Sequence, residues 1–172
     1  MSEINMLMVV DTKFVKKALA GKYSTDPEKP NHIDGQYMLV TGTTVNHGQG
    51  TMIVDFNANT GDEINFRGTS IYGNSEDAVI IYEVVHWRLD DVFNRFVPDV
   101  ITRSKAAVPN TETRNGLPVV HKPVNFNSFD SKVKRAGTEV FVINFALYQL
   151  SSDGESQEFV SYMQCDPTIR VS

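Results

Sequence analysis

The stretch that decides the fold is Gly61–Arg88, GDEINFRGTSIYGNSEDAVIIYEVVHWR. Its first part alternates apolar and polar residues, with Ile64 and Phe66 on one side, and this period of two is typical of a half-buried strand. In Ala78–Trp87 nearly every residue is apolar and many are β-branched, which indicates a strand that is covered on both faces or lies at the centre of a sheet. The Tyr72–Asp77 segment between them is rich in residues that favour tight turns. The stretch therefore predicts a strand-loop-strand unit around which a β-sandwich assembles.

The remaining chain shows the same β-rich pattern. Glu139–Leu150 is a second nearly continuous apolar run, and Ser152–Gly154 after it favours a hairpin turn. Helical patterns are short: Phe14–Ala20, a turn within Leu89–Val97, and an apolar-sided turn or helix over Phe126–Val133. We predict one all-β domain over residues 1–172, an antiparallel β-sandwich of the jelly-roll or Ig-like type with one or two short helices.

Composition excludes several classes of function. The chain has 172 residues, 41% of them hydrophobic and 22% charged, as expected for a globular domain. A net charge of -5 argues against nucleic acid and anionic membrane surfaces as partners, because neutralising phosphates needs clustered Lys and Arg. No window approaches the ~20 apolar residues of a membrane span. The start, MSEINMLMVVDT, lacks the basic segment of a secretory signal, so we expect a cytoplasmic location, while release from the cell stays open.

No catalytic constellation is present in the sequence. The motifs G-x-S-x-G, G-x-x-x-x-G-K-[ST] and H-E-x-x-H are all absent. Cys165 is the single cysteine, so an intrachain disulfide and a Cys-based zinc site are both excluded. The four histidines are far apart along the chain: His32, His47, His86 and His121. We therefore predict no enzymatic activity, no cofactor and no metal centre.

The segment Asp55–Asp62 begins with acidic or amide side chains at three alternate positions, a pattern that suggests calcium binding. An EF-hand loop needs Gly at its sixth position and Glu at its twelfth, and these positions hold Thr60 and Phe66. We predict a strand end and a turn here, and a calcium loop of another type stays open.

A carbohydrate site is harder to exclude than an active site. It needs only an aromatic platform and a few convergent polar groups in loops. A lectin-like, carbohydrate-binding protein is therefore the alternative function, although turn formation and core packing explain the same residue types. The candidate ligand-binding residues are Tyr72, Asn74, Asp77, Trp87 and Arg103.

Several segments resemble those of one family over nearly the whole chain. In order, they are INMLMVVDT, GQYMLVTG, FRGTSIYGNSEDAVIIY, VFNRFVPDVITRSKAAVPN, NGLP, FNSFDSKVKRAGTEVFVINFALYQL and DPTIRV. Together they are similar to the AidA/PixA group of bacterial inclusion-body proteins. None of these segments is a catalytic signature.

The resemblance implies a non-enzymatic bacterial protein made in bulk under quorum-sensing or phase control. It also implies a link to host interaction and, in some members, storage as crystalline cytoplasmic inclusions. The family supplies no catalytic residues to carry over. Because a low net charge weakens repulsion between copies, we expect the chain to self-associate into a homo-oligomer, with a symmetric dimer as the first expectation.

Overall fold

Twelve strands and one helix build two stacked sheets. The computed structural model describes residues 1–172, and the β-sandwich prediction is confirmed. In chain order the elements are β1 (Glu3–Val10), α1 (Thr12–Leu19), β2 (Asn31–His32), β3 (Gln36–Thr41), β4 (Val45–His47), β5 (Ile53–Phe56), β6 (Glu63–Ser70), β7 (Ala78–Leu89), β8 (Val97–Val108), β9 (Val120–Lys132), β10 (Gly137–Leu150), β11 (Gln157–Cys165) and β12 (Thr168–Val171).

The two sheets are mixed rather than purely antiparallel. The first has the order β3-β1-β6-β9-β8, and the second has the order β2-β11-β10-β12-β5-β4 with β7 also paired to β10. Three pairs are parallel: β1 with β6, β12 with β5, and β11 with β2. Parallel partners need long crossover connections, whereas turn residues reveal only hairpins. The sequence therefore indicated the antiparallel hairpin of β10 and β11 and not these three pairs.

The core lies between the sheets and contains 28 buried apolar residues. In β1, alternate residues point inward, including Ile4 and Met8, both fully buried. Strand β10 is buried along most of its length, as its continuous apolar sequence predicts. The same prediction for β7 is wrong, because β7 pairs only with β10 and lies at the edge of its sheet. From Val85 to Leu89 every residue of β7 is exposed.

Helix α1 is the only helix of the fold. The Asp11 side chain caps its start by accepting the Phe14 N–H at 3.0 Å, and Val15 and Leu19 face the core. With eight residues, α1 is too short for a membrane-spanning helix. The helical predictions for Leu89–Val97 and Phe126–Val133 are wrong. Residues 90–96 are irregular and the second segment lies mostly in β9, where pairing with β6 and β8 overrides the local pattern.

Strands β8 and β9 form a hairpin that extends beyond the body of its sheet. Strand β8 pairs only with β9, and β9 pairs with β6 only at residues 129–132. Strand β8 contains no buried residue. We call residues 97–127 the hairpin arm. A two-stranded hairpin is marginally stable by itself in water, so this arm is a candidate for contact with another surface.

Candidate functional site

One side of the sandwich has two unpaired strand edges next to each other. Strand β7 is the edge of one sheet and β8 is the edge of the other. At Gly68 of β6, an added Cβ would lie 2.4 Å from Ile81 Cδ1, so the absence of a side chain there lets β7 pack closely over β6. Edge strands expose backbone N–H and C=O groups that can pair with another chain. We call this surface, formed by β7 and the hairpin arm, the open side.

An apolar groove of about 390 Å³ runs along the open side. Its lining combines β7 with the hairpin arm and includes Ile80, Val100 and Phe126. These side chains are 44%, 72% and 48% exposed, respectively. An exposed apolar surface of this kind is typical of an interaction site, because leaving it in water is unfavourable. The groove can therefore bury the apolar surface of another molecule.

A polar pocket of about 450 Å³ lies further along β7. Its most buried polar side chain is that of Glu139, which is 1% exposed. One Glu139 oxygen accepts the N–H groups of Val92 and Phe93 at 2.7 and 3.1 Å, and the other lies 2.9 Å from His86 Nδ1. Burial raises the pKa of Glu139, although these hydrogen bonds oppose the shift. Glu139 thereby fixes the chain between β7 and β8.

The residues of this pocket with metal-ligating chemistry are His86, Asp91 and Glu139. One ligand atom of each lies within 4.8 Å of the others. Sequence reasoning missed this cluster because the register of β7 against β10 brings together residues that are far apart in the chain. Asp91 forms an ion pair with Lys134, which lowers the pKa of Asp91, and both Glu139 oxygens have partners. A metal ion would have to displace these contacts, so the geometry favours a structural role.

Two of the predicted ligand-binding residues hold the loop between β6 and β7. The Asn74 Oδ1 atom accepts the N–H groups of Ser70 and Val79 at 2.8 and 3.0 Å. The Asp77 carboxylate is buried and accepts hydrogen bonds from Thr12 Oγ1 at 2.6 Å and Lys16 Nζ at 2.9 Å. Asn74 therefore closes the turn, and Asp77 attaches helix α1 to it.

The other predicted residues are only partly brought together. Tyr72 lies in the same turn and is 37% exposed. Trp87 follows Asp77 by ten residues along β7, which at ~3.3 Å per residue puts it roughly 30 Å away. Its ring lies 4.3 Å from the Arg88 guanidinium carbon. Arg103 lies on the hairpin arm. The structure thus groups Tyr72, Asn74 and Asp77 and separates them from Trp87.

The predicted strand end and turn at Asp55–Asp62 are confirmed, since β5 ends at Phe56 and a turn follows at residues 60–61. The Asp55 carboxylate accepts hydrogen bonds from Asn46 and Ser172. The carboxylate of Asp62 accepts the N–H groups of Ser2 and Asn59. Both carboxylates therefore have protein partners that stabilise the turn.

Comparison with known proteins identifies the family. The model of the PixA family, described as inclusion body protein, matches residues 2–171. A crystal structure of an inclusion body protein of this family from Burkholderia cenocepacia J2315 superimposes with a TM-score of 0.82. The two chains are 26% identical, and the match covers 99% of this chain and 95% of that one. The search of curated proteins finds no match. The chain belongs to the PixA family of inclusion body proteins.

Proposed function

We propose that this protein is a non-enzymatic inclusion-body protein that associates with copies of itself through the open side. The observation that carries the proposal is the pair of neighbouring strand edges, β7 and β8, with an exposed apolar groove between them. Backbone groups on such edges pair readily with another strand, and the groove supplies apolar surface to bury.

A second copy of the chain is the occupant that these features favour. In a symmetric dimer the same surface is used twice, so an edge strand of one copy meets an edge strand of the other. A net charge of -5 over 172 residues leaves little repulsion to oppose this contact. The family's description as inclusion body protein supports dense self-association.

The resemblance supports further parts of the proposal. The protein acts in the bacterial cytoplasm, where copies accumulate as inclusions, and its synthesis is under quorum-sensing or phase control. Its role belongs to host interaction. These statements rest on likeness to the AidA/PixA group, whereas self-association rests on the geometry of the open side.

Sedimentation of the wild-type chain tests the proposal directly. We expect a reversible, defined oligomer, with a dimer as the smallest form, whose population rises from low micromolar to near-millimolar concentration. The physical reason is that edge pairing and burial of the groove need two copies. A single monomeric species over the whole concentration range would contradict the proposal.

Carbohydrate binding stays a prediction that a glycan array, run with and without calcium, can test. The geometry adds no observation in its favour, because Asn74 and Asp77 are engaged within the protein and Trp87 lies far along β7.

A further inference from the structure

Three polar side chains, those of Glu83, Asn144 and Gln164, lie side by side across the second sheet. They are separate from the pocket that contains Glu139. Asn144 in β10 lies opposite Glu83 in β7 on one side and opposite Gln164 in β11 on the other. Asn144 is the only polar residue in the run VFVINFAL, residues 140–147. A polar residue at the centre of an apolar strand carries a desolvation cost unless its hydrogen bonds are made.

The hydrogen bonds of Asn144 are only partly made. Asn144 is only 7% exposed. Its Nδ2 atom donates a hydrogen bond to Glu83 Oε2 at 2.7 Å. This bond sets the orientation of the amide, because a carboxylate accepts from the nitrogen and not from the oxygen. The Oδ1 atom is buried without any partner. Buried orphan acceptors are rare in folded proteins, so this one indicates a site for a donor.

The row lines a pocket of about 340 Å³, and the Pro27–Pro30 loop contributes to the same lining. A β-bulge in β7 lies at this pocket. Asn144 pairs with Glu83 and Phe145 pairs with Ile81, so Tyr82 is the extra residue of the bulge. The Tyr82 hydroxyl donates to the Pro27 carbonyl at 3.0 Å, which attaches the loop to β7. Bulges often re-aim a side chain beside a binding site.

The charged residues that line the pocket are all acidic. Glu28 and Glu83 both line it, and no Lys, Arg or His does. The nearest basic neighbour in sequence, Lys29, lies 3.8 Å from Asp26 in an ion pair outside the lining. The charged groups that line the pocket are therefore both carboxylates, which only accept hydrogen bonds, and the lining also includes Asn144, whose Oδ1 atom has no partner.

We propose that this pocket binds a small organic cation with a primary ammonium group. An ammonium group has three N–H donors and no acceptor, which suits a pocket lined by the carboxylates of Glu83 and Glu28 and by the amide of Asn144, whose oxygen has no partner. The volume is within the range of small-molecule sites and exceeds the space that a bare metal ion fills. Tyr82 also lines the pocket, so an aromatic side chain, which can favour a cation, lies beside the carboxylates.

Calorimetric titration of the wild-type chain with putrescine, a four-carbon diamine, tests the proposal. We expect saturable binding at one site per chain and a matching rise in the thermal unfolding temperature. The diol of the same length, which lacks the ammonium groups, should not bind. Equal binding of the diol would overturn the proposal, and so would the absence of putrescine binding or saturation by calcium chloride alone.

Variants separate this pocket from other acidic surfaces. Glu83→Gln removes the charge at an exposed position, and Asn144→Leu removes the orphan acceptor. Each should weaken putrescine binding by at least about tenfold, since charge-assisted hydrogen bonds are lost. Glu158→Gln, on the exposed part of β11, is the matched control and should bind like the wild type. Unchanged affinity in Glu83→Gln and Asn144→Leu would overturn the proposal, with circular dichroism confirming that each variant is folded.

Discussion

Replacing Glu139 with alanine is expected to lower the free energy of unfolding by about 2–4 kcal/mol, because two backbone donors lose their acceptor. The Glu139 carboxylate accepts the N–H groups of Val92 and Phe93, which lie in the irregular segment between β7 and β8. Both residues are buried, at 0% and 2% exposed. Urea denaturation of wild type and variant, followed by circular dichroism, measures the difference.

Glu63→Ala is the control for this prediction. Glu63 is exposed, and its carboxylate lies 3.4 Å from Lys132 Nζ in an ion pair. We expect a loss of at most about 1 kcal/mol, because exposed ion pairs contribute little. Similar losses in the two variants would show that Glu139 does not anchor the segment.

The pH dependence of the unfolding free energy is a second test of the role of Glu139. Burial raises its pKa above the ordinary value of 4.5, so the folded protein favours the protonated acid. The stabilisation that this raised pKa gives the folded protein is complete at pH values below the ordinary pKa. It is lost as the pH rises through the pKa of Glu139 in the folded protein. Glu139→Gln lacks this titration. The unfolding free energy of the wild type should therefore rise relative to Glu139→Gln as the pH falls through this range.

The double substitution of Val100 and Phe126 by aspartate is expected to raise the dissociation constant of the oligomer by roughly 100-fold or more. Both side chains line the groove of the open side, and in the single chain Val100 is 72% and Phe126 is 48% exposed. Burying an unpaired carboxylate in an interface costs about 3 kcal/mol or more, which corresponds to this factor. Sedimentation equilibrium of wild type and variant measures the two constants.

Ile53→Asp is the matched control for the groove variant. Ile53 is 67% exposed and lies on β5, outside the open side. The oligomer of this variant should have the dissociation constant of the wild type. If Ile53→Asp dissociates the oligomer while the groove variant does not, the interface lies elsewhere. Urea denaturation of both variants distinguishes weakened association from unfolding.

The β-sandwich was predictable because its signals are local. The alternation in β6, the turn residues at Tyr72–Asp77 and the apolar run of β10 each report the structure of their own segment. The prediction for β7 fails because an apolar sequence indicates that a strand favours burial. It does not indicate whether the covering surface belongs to the same chain or to another molecule. In β7 the exposed residues Val85, Trp87 and Leu89 face away from the core of this chain.

The candidate sites were less predictable because they depend on strand register. His86 meets Glu139, and Glu83 meets Asn144, only through the pairing of β7 with β10 and its two bulges. A displacement by one residue would turn these side chains to the opposite face. The sequence does contain one signal, the isolated Asn144 in an apolar run. That signal marks a buried polar group and does not name its partners.

Hydrogen–deuterium exchange at low and high protein concentration tests self-association through the open side most directly. We predict that amides of β7 and β8 become more protected as the concentration rises, because their free edges pair with a second copy. Amides of β4, at the far edge of the second sheet, should exchange at the same rate throughout. Concentration-dependent protection at β4 instead, or at no strand at all, would contradict the proposed interface.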